Sequence, residues 1–252
     1  MELRKLGATG VSVSPLEDLK TRWASAARRP ARVLLRSLWS PAQSEYLNVA
    51  RLHTTDPDEL LRALLGASAV VEPALLPEAP AREYAEVWQV DRAVRQFLWG
   101  LVRSTRPERA LETGIADGAS TRVILDAMEK NGRGTLFGVD IEENVGRLAR
   151  ASAGAARWHL TVLPARGRAE ATRRVFRQSA PLDLFLHDSD HSYPWQRFEY
   201  GEAWKVLAPG GWLLSDDTNA SYALLDFARS VRQPLWILSH PRKLFGVVRK
   251  GG

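Results

Sequence analysis

Beyond residue 108 the chain alternates short apolar runs with longer stretches in which apolar positions recur every three or four residues. The runs RALET, GTLFGVD, WHLTVLP, LDLFLHD, GWLLSD, LWILSH and LFGVVRK have the length of strands. The stretches Ser120 to Asn131, Glu143 to Ala151, Ala169 to Gln178 and Pro194 to Val206 have the period of helices. Strands alternating with helices need crossover connections. The pattern therefore predicts an α/β fold, a doubly wound, mostly parallel, seven-stranded sheet covered on both faces. Only the turn HPRK separates the last two runs, which predicts an antiparallel pair at the end of the chain.

Upstream, REYAEVWQVDRAVRQFLWGLVRST reads as one long amphipathic helix beginning near Glu83. HTTDPDELLRALLGAS reads as a shorter one, with Thr55 or Asp56 as cap, Pro57 in the first turn and Gly66 at its end. Between them VVEPALLPEAPAR carries three prolines and marks a linker. The expected division is a helical N-terminal extension over 1–80, serving as acceptor cap or subunit contact, and a main domain over 81–252. Within the extension, TRWASAARRPARVLLRSLWS sets arginines beside an apolar stripe, which suits a helix packed on the domain or on a second subunit. A homo-oligomer is the expected assembly.

Charge sharpens this division. Residues 1–51 hold nine Lys/Arg against four Asp/Glu, leaving 26 against 25 for the rest, so nearly all of the net charge of +6 sits in the N-terminal arm. A nucleic-acid enzyme spreads basic surface around the site that meets phosphates, and the distribution argues against nucleic acid as partner. No run of eighteen apolar residues exists and the first fifteen residues lack the apolar core of a signal peptide, so the expectation is a cytoplasmic protein with no membrane span. The absence of cysteine excludes disulfides, thiolate metal sites and thiol nucleophiles.

Candidate chemistry gathers at the ends of the strand-like runs, where a sheet of this kind binds ligands. In ALETGIADGASTRVILDAM, Gly114 and Gly118 allow a sharp turn, Glu112 offers a carboxylate, and Ser120 and Thr121 open the next helix. The next run ends in Asp140, where a carboxylate can accept the hydroxyls of a ribose. Further on, FLHDSDHSY and LLSDDT place Asp188, Asp190 and His191 after one run and Asp216 and Asp217 after the next. Neighbouring strands lie about 5 Å apart, so such carboxylates can converge on one cation. Alternatively they cap helices, Asp190 or Ser192 before Pro194 and Asp217 or Asn219 further on. His191 reads either as a base or as a loop histidine bonded to a carbonyl, and His187 as a packing residue on the opposite face of the sheet.

Taken in order, ETGIADGAST, GVD, DLFLHDSDHSY and LAPGGWLLSDDT resemble the class I S-adenosylmethionine-dependent methyltransferases over about residues 85 to 250, which implies a Rossmann-like methyltransferase fold. Within that class the residues resemble the metal-dependent O-methyltransferases of macrolide sugars, the macrocin and mycinamicin type. The resemblance implies S-adenosylmethionine held by Glu112, Gly114, Gly118, Ser120, Asp140 and Asp188. It further implies Mg²⁺ or another divalent cation on Asp188, Asp216 and Asp217, and His191 as general base. The implied reaction is Mg-assisted O-methylation of a hydroxyl on a small natural-product or sugar acceptor, glycosylated or polyhydroxylated. N-methylation of an amino sugar, or a metal-site protein resembling the cephalosporin-hydroxylase type, are the alternatives.

Overall fold

The structure is a computed structural model that describes residues 41–74, 90–240 and 243–252. The elements in chain order are α1 (Pro41–Val49), β1 (Leu52–Thr54), α2 (Pro57–Leu65), α3 (Arg92–Thr105), β2 (Arg109–Thr113), α4 (Ala119–Asn131), β3 (Thr135–Asp140), α5 (Arg147–Arg150), β4 (Trp158–Val162), α6 (Arg168–Ser179), β5 (Leu182–His187), α7 (Tyr193–Val206), β6 (Leu207–Ser215), α8 (Ala223–Ser230), β7 (Leu235–Ser239) and β8 (Leu244–Arg249). Eight strands form one sheet in the order β1-β7-β8-β6-β5-β2-β3-β4. All pairs are parallel except those of β8, which runs antiparallel to both β6 and β7.

The expected sheet had seven strands, and the eighth is β1, whose Leu52, His53 and Thr54 pair with Trp236, Ile237 and Leu238. Three residues are too short a run to display alternation, so the sequence pattern concealed it. The N-terminal extension is accordingly not purely helical. Its expected boundary near residue 80 lies outside the described residues, and so does the arm over 1–40. On the near side of that boundary α2 buries Leu60 and Leu61 in the same core as Phe97, Leu98 and Trp99 of α3.

Alternation along the strands divides the interior into two layers, as a two-sided sheet requires. Leu184, Leu186 and Leu214 join the cluster with α3 and α4, while Leu111, Phe185 and Leu213 join the cluster with α6, α7 and α8. The first described turn of α3 is fixed by Asp91, whose carboxylate accepts from the Val94 amide at 2.9 Å. Asp56 caps α2 in the same way, with Pro57 following, as expected. The expected helix from Glu143 contracts to α5, because Gly146 adopts a left-handed φ of 74° and the helix begins only after it.

Candidate active site

Strand order reverses between β2 and β5, the place where an open sheet presents a crevice. There the strands end in register, Thr113 opposite Val139 on one side and His187 on the other, and His187 opposite Ser215. The ladder continues one step past the strands. Gly114 N donates to Val139 O at 2.8 Å, Asp188 N to Thr113 O at 2.8 Å, and Asp216 N to His187 O at 2.9 Å. Gly114, Asp188 and Asp216 therefore sit side by side.

At Gly114, where φ is 82°, an added Cβ would lie 2.0 Å from the Asp188 carbonyl oxygen. The glycine is thus required by the close approach of two strand tips, in addition to the cofactor contact that the resemblance implies. Gly118, also at φ 82°, opens α4 and admits Gly146 and Ala149 within 3.0–3.2 Å of where its Cβ would be. Asp140 is held by three backbone amides. Ile115 N donates to its Oδ2 at 2.8 Å, and Ile141 N and Glu142 N donate to its Oδ1 at 2.7 and 3.0 Å. One lone pair remains on Oδ2 for a further donor.

Glu112 is fully buried and accepts from the Ser120 hydroxyl, so these two expected cofactor residues bond each other in the interior. Its Oε2 has no hydrogen-bond partner, and burial pushes its carboxyl up to about 7.

The tips of β5 and β6 are different in kind. His191 Nε2 lies 3.6 Å from Asp217 Oδ2 and 3.8 Å from Asp188 Oδ1, while its Nδ1 is buried without a partner. Burial lowers the imidazole to about 4, against the pull of the Asp217 charge, so it is neutral near pH 7. Asp217 takes a left-handed φ of 46° and makes no capping hydrogen bond, and Ser192 at the start of α7 makes none either. The capping alternative is thereby set aside for Asp217. Asp190 does stabilise its own loop, accepting from Ser192 N at 3.0 Å and pairing with Arg168 at 3.4 Å. Burial and the neighbouring charge of Asp216 raise the Asp188 carboxyl well above its usual range.

Two residues enter the site that the sequence reading passed over. Lys243 Nζ donates to Asp216 Oδ2, with Asp216 buried and its Oδ1 without a hydrogen-bond partner. Burial alone would lower the lysine, but the charges of Asp216, Asp217 and Asp188 outweigh it and raise its pKa. An antiparallel strand starts where its parallel neighbours finish, and β8 pairs Gly246 with Ser215, so Lys243 arrives at the carboxyl end of β6. Glu199 of α7 is the second. Buried, it accepts from Thr113 Oγ1 at 2.7 Å, Ser189 Oγ at 3.0 Å and Trp195 Nε1 at 2.8 Å, and it meets His187 Nδ1 at 2.6 Å. His187 is buried as expected, yet its ring lies edge-on to that of His191 with centroids 5.5 Å apart. The i, i+4 spacing of Trp195 and Glu199, whose side chains bond each other, was the available signal.

The donor set does not suit the implied divalent ion. Mg²⁺ asks for six oxygen ligands, and Asp216 already holds an ammonium. Among the described residues no group of three His, Asp or Glu side chains is placed to hold a metal ion. The carboxylates as they stand do not fit one.

A family model described as a methyltransferase domain matches residues 111–218, which run from β2 past the tip of β6. No curated protein matches the sequence. Among solved structures, the O-methyltransferase TomG from Streptomyces achromogenes, involved in tomaymycin synthesis and in complex with SAM, is similar at 17% identity and a TM-score of 0.54, covering 77% of this chain and 96% of that one. A putative O-methyltransferase from Klebsiella pneumoniae is similar at 16% identity and a TM-score of 0.53, covering 86% and 100%. An O-methyltransferase from Bacillus cereus in complex with SAH is similar at 16% and 0.51, covering 85% and 100%. No helix among the described residues is long and apolar enough to cross a membrane. Residues 111–218 thus match a methyltransferase-domain model, and the described residues have the α/β Rossmann-like fold of these O-methyltransferase structures.

Proposed function

We propose that the chain methylates a hydroxyl of a small natural-product or sugar acceptor, drawing the methyl group from S-adenosylmethionine. The observation that carries this is His191, neutral near pH 7 and set against Asp188 and Asp217 one strand away from the glycine turn. The O-methyltransferase activity named for the similar structures supports a hydroxyl over an amine.

The residues fit the methyl donor. Asp140, positioned by three amides, keeps a lone pair for a ribose hydroxyl, and the Gly114–Gly118 turn brings backbone to the switch point of the sheet. When bound, the donor supplies a methyl group already activated on a sulfonium. The chain has then to position the acceptor and receive its proton. With the Nε2 hydrogen of His191 turned to Asp188 and Asp217, its lone pair is on Nδ1, the atom without a partner. The acceptor proton passes to that nitrogen as the acceptor oxygen bonds to the methyl carbon and the carbon–sulfur bond breaks, leaving a neutral thioether. The resulting imidazolium is stabilised by the two carboxylates beside it. No step requires a divalent ion.

Transfer from radiolabelled donor to a panel of hydroxylated and aminated glycosides tests the reading. Label on a hydroxyl is the expected outcome, and label confined to amines would replace it with N-methylation.

A further inference from the structure

The acidic cluster at the tips of β5 and β6 contains its own cation. We infer that Lys243 is the resident positive charge of the acceptor pocket, standing in for the divalent ion that Asp188, Asp216 and Asp217 would otherwise bind. This rests on the methyltransferase reading above and adds how the acceptor oxygen is stabilised.

Three observations converge. The ammonium donates to Asp216, which is 1% exposed, and the other oxygen of that carboxylate is buried without a hydrogen-bond partner. Lys243 itself is 9% exposed. Its backbone is anchored on both sides, since His240 N donates to Lys243 O at 2.9 Å and Leu244 N donates to Asn219 Oδ1 at 2.8 Å.

The alternative is costly. For a metal ion to take Asp216, the lysine would have to withdraw from a buried carboxylate and leave its own charge without that partner. The Lys243 ammonium instead places one positive charge on that carboxylate, at the strand tips where Asp188 and Asp216 sit side by side. It offers that charge to the oxygen as the proton leaves for His191, where a metal would offer coordination.

Mn²⁺, which reports its own binding through the paramagnetic resonance signal of the free ion, tests this without an acceptor. The full chain, saturated with the demethylated donor S-adenosylhomocysteine, is titrated with Mn²⁺ as wild type, Lys243→Met and Lys243→Arg. Wild type and Lys243→Arg should leave the free-ion signal unchanged through the high-micromolar range. Lys243→Met should bind one ion per chain at least tenfold more tightly, and its Tm should rise with added Mn²⁺ while that of the wild type stays put.

Tight binding of one ion by the wild type would overturn the inference, and so would absence of binding by a folded Lys243→Met. If Lys243→Met does not fold, the wild-type titration alone decides. Calorimetry of S-adenosylhomocysteine on the wild type separates the two layers of argument. Loss of that binding defeats the methyltransferase reading, whereas Mn²⁺ binding beside intact cofactor binding defeats only the role given to Lys243.

Discussion

The two halves of the crevice treat their acids in opposite ways. At the tip of β3, Asp140 receives three backbone amides and becomes part of the turn geometry. At the tips of β5 and β6, Asp216 keeps one buried oxygen without a hydrogen-bond partner and His191 keeps Nδ1 likewise. Asp140 is thus preorganised, both its oxygens engaged by the backbone before any ligand arrives. The second half stores unsatisfied polar atoms and displaced titrations, the condition expected where a proton or charge is to be handled.

The sharpest way to break this contrast is His191→Ala. Turnover should fall by roughly 10²- to 10⁴-fold, the usual worth of a positioned base, while cofactor affinity stays within a few-fold. Single-turnover transfer and calorimetry read the two quantities, and equal losses in both would merge the halves into one.

Gly114→Val strikes the seam between them. Its Cβ meets the Asp188 carbonyl and its φ is left-handed, so the cost falls on folding, on the order of 3 kcal/mol or more. Denaturant midpoints measure it, and weakened cofactor binding at unchanged stability would return the glycine to a purely cofactor role.

Asp140→Ala should weaken donor binding by roughly 10- to 100-fold, the range for losing a hydrogen bond to a charged group, with chemistry on bound substrate little changed. Calorimetry of the donor against single-turnover rates separates these.

Glu112 gives a smaller, pH-dependent effect. Burial raises its carboxyl to about 7, so the folded chain binds this proton more tightly than the unfolded one. The associated stability is fully present below the ordinary carboxylate range and is lost as pH climbs through about 7. Glu112→Gln keeps the neutral form and should flatten the decline of Tm between pH 5 and 8 by a few degrees. An unaltered slope would place the titration elsewhere.

Asp190→Asn should do least. Its contacts lie within its own loop and to a partly exposed Arg168, so activity should remain within about twofold of wild type. A loss like that of His191→Ala would bring Asp190 into the catalytic group.

Much of the crevice was legible from local pattern. Apolar runs locate strand tips, and a residue just past a tip in a parallel sheet reaches the carboxyl edge, which is how Asp140, Asp188, His191, Asp216 and Asp217 could be singled out. Lys243 could not be found in that way. Its place depends on β8 inserting antiparallel between β6 and β7, a long-range choice that the turn before it does not encode. Glu199 was hidden because a carboxylate in an amphipathic helix reads as solvated until the fold turns that face inward. Gly114 was found, but its approach to the Asp188 carbonyl was not, since glycine records that space is scarce without recording what fills it.

Strand β1 has a consequence for how the domain is completed. It lies on the outer side of β7, joining Leu52–Thr54 to a strand that the chain makes only at Leu235–Ser239. Without it, β7 would expose a row of unpaired amides and carbonyls, the kind of open border on which chains stick to one another. During synthesis the segment that seals this border is among the first described residues to emerge and must wait for nearly the whole sheet before it can pair. Such a distant closure slows folding and lengthens the interval in which the border is open. Leu52–Thr54 covers the border of β7, a strand that the chain supplies roughly 180 residues later.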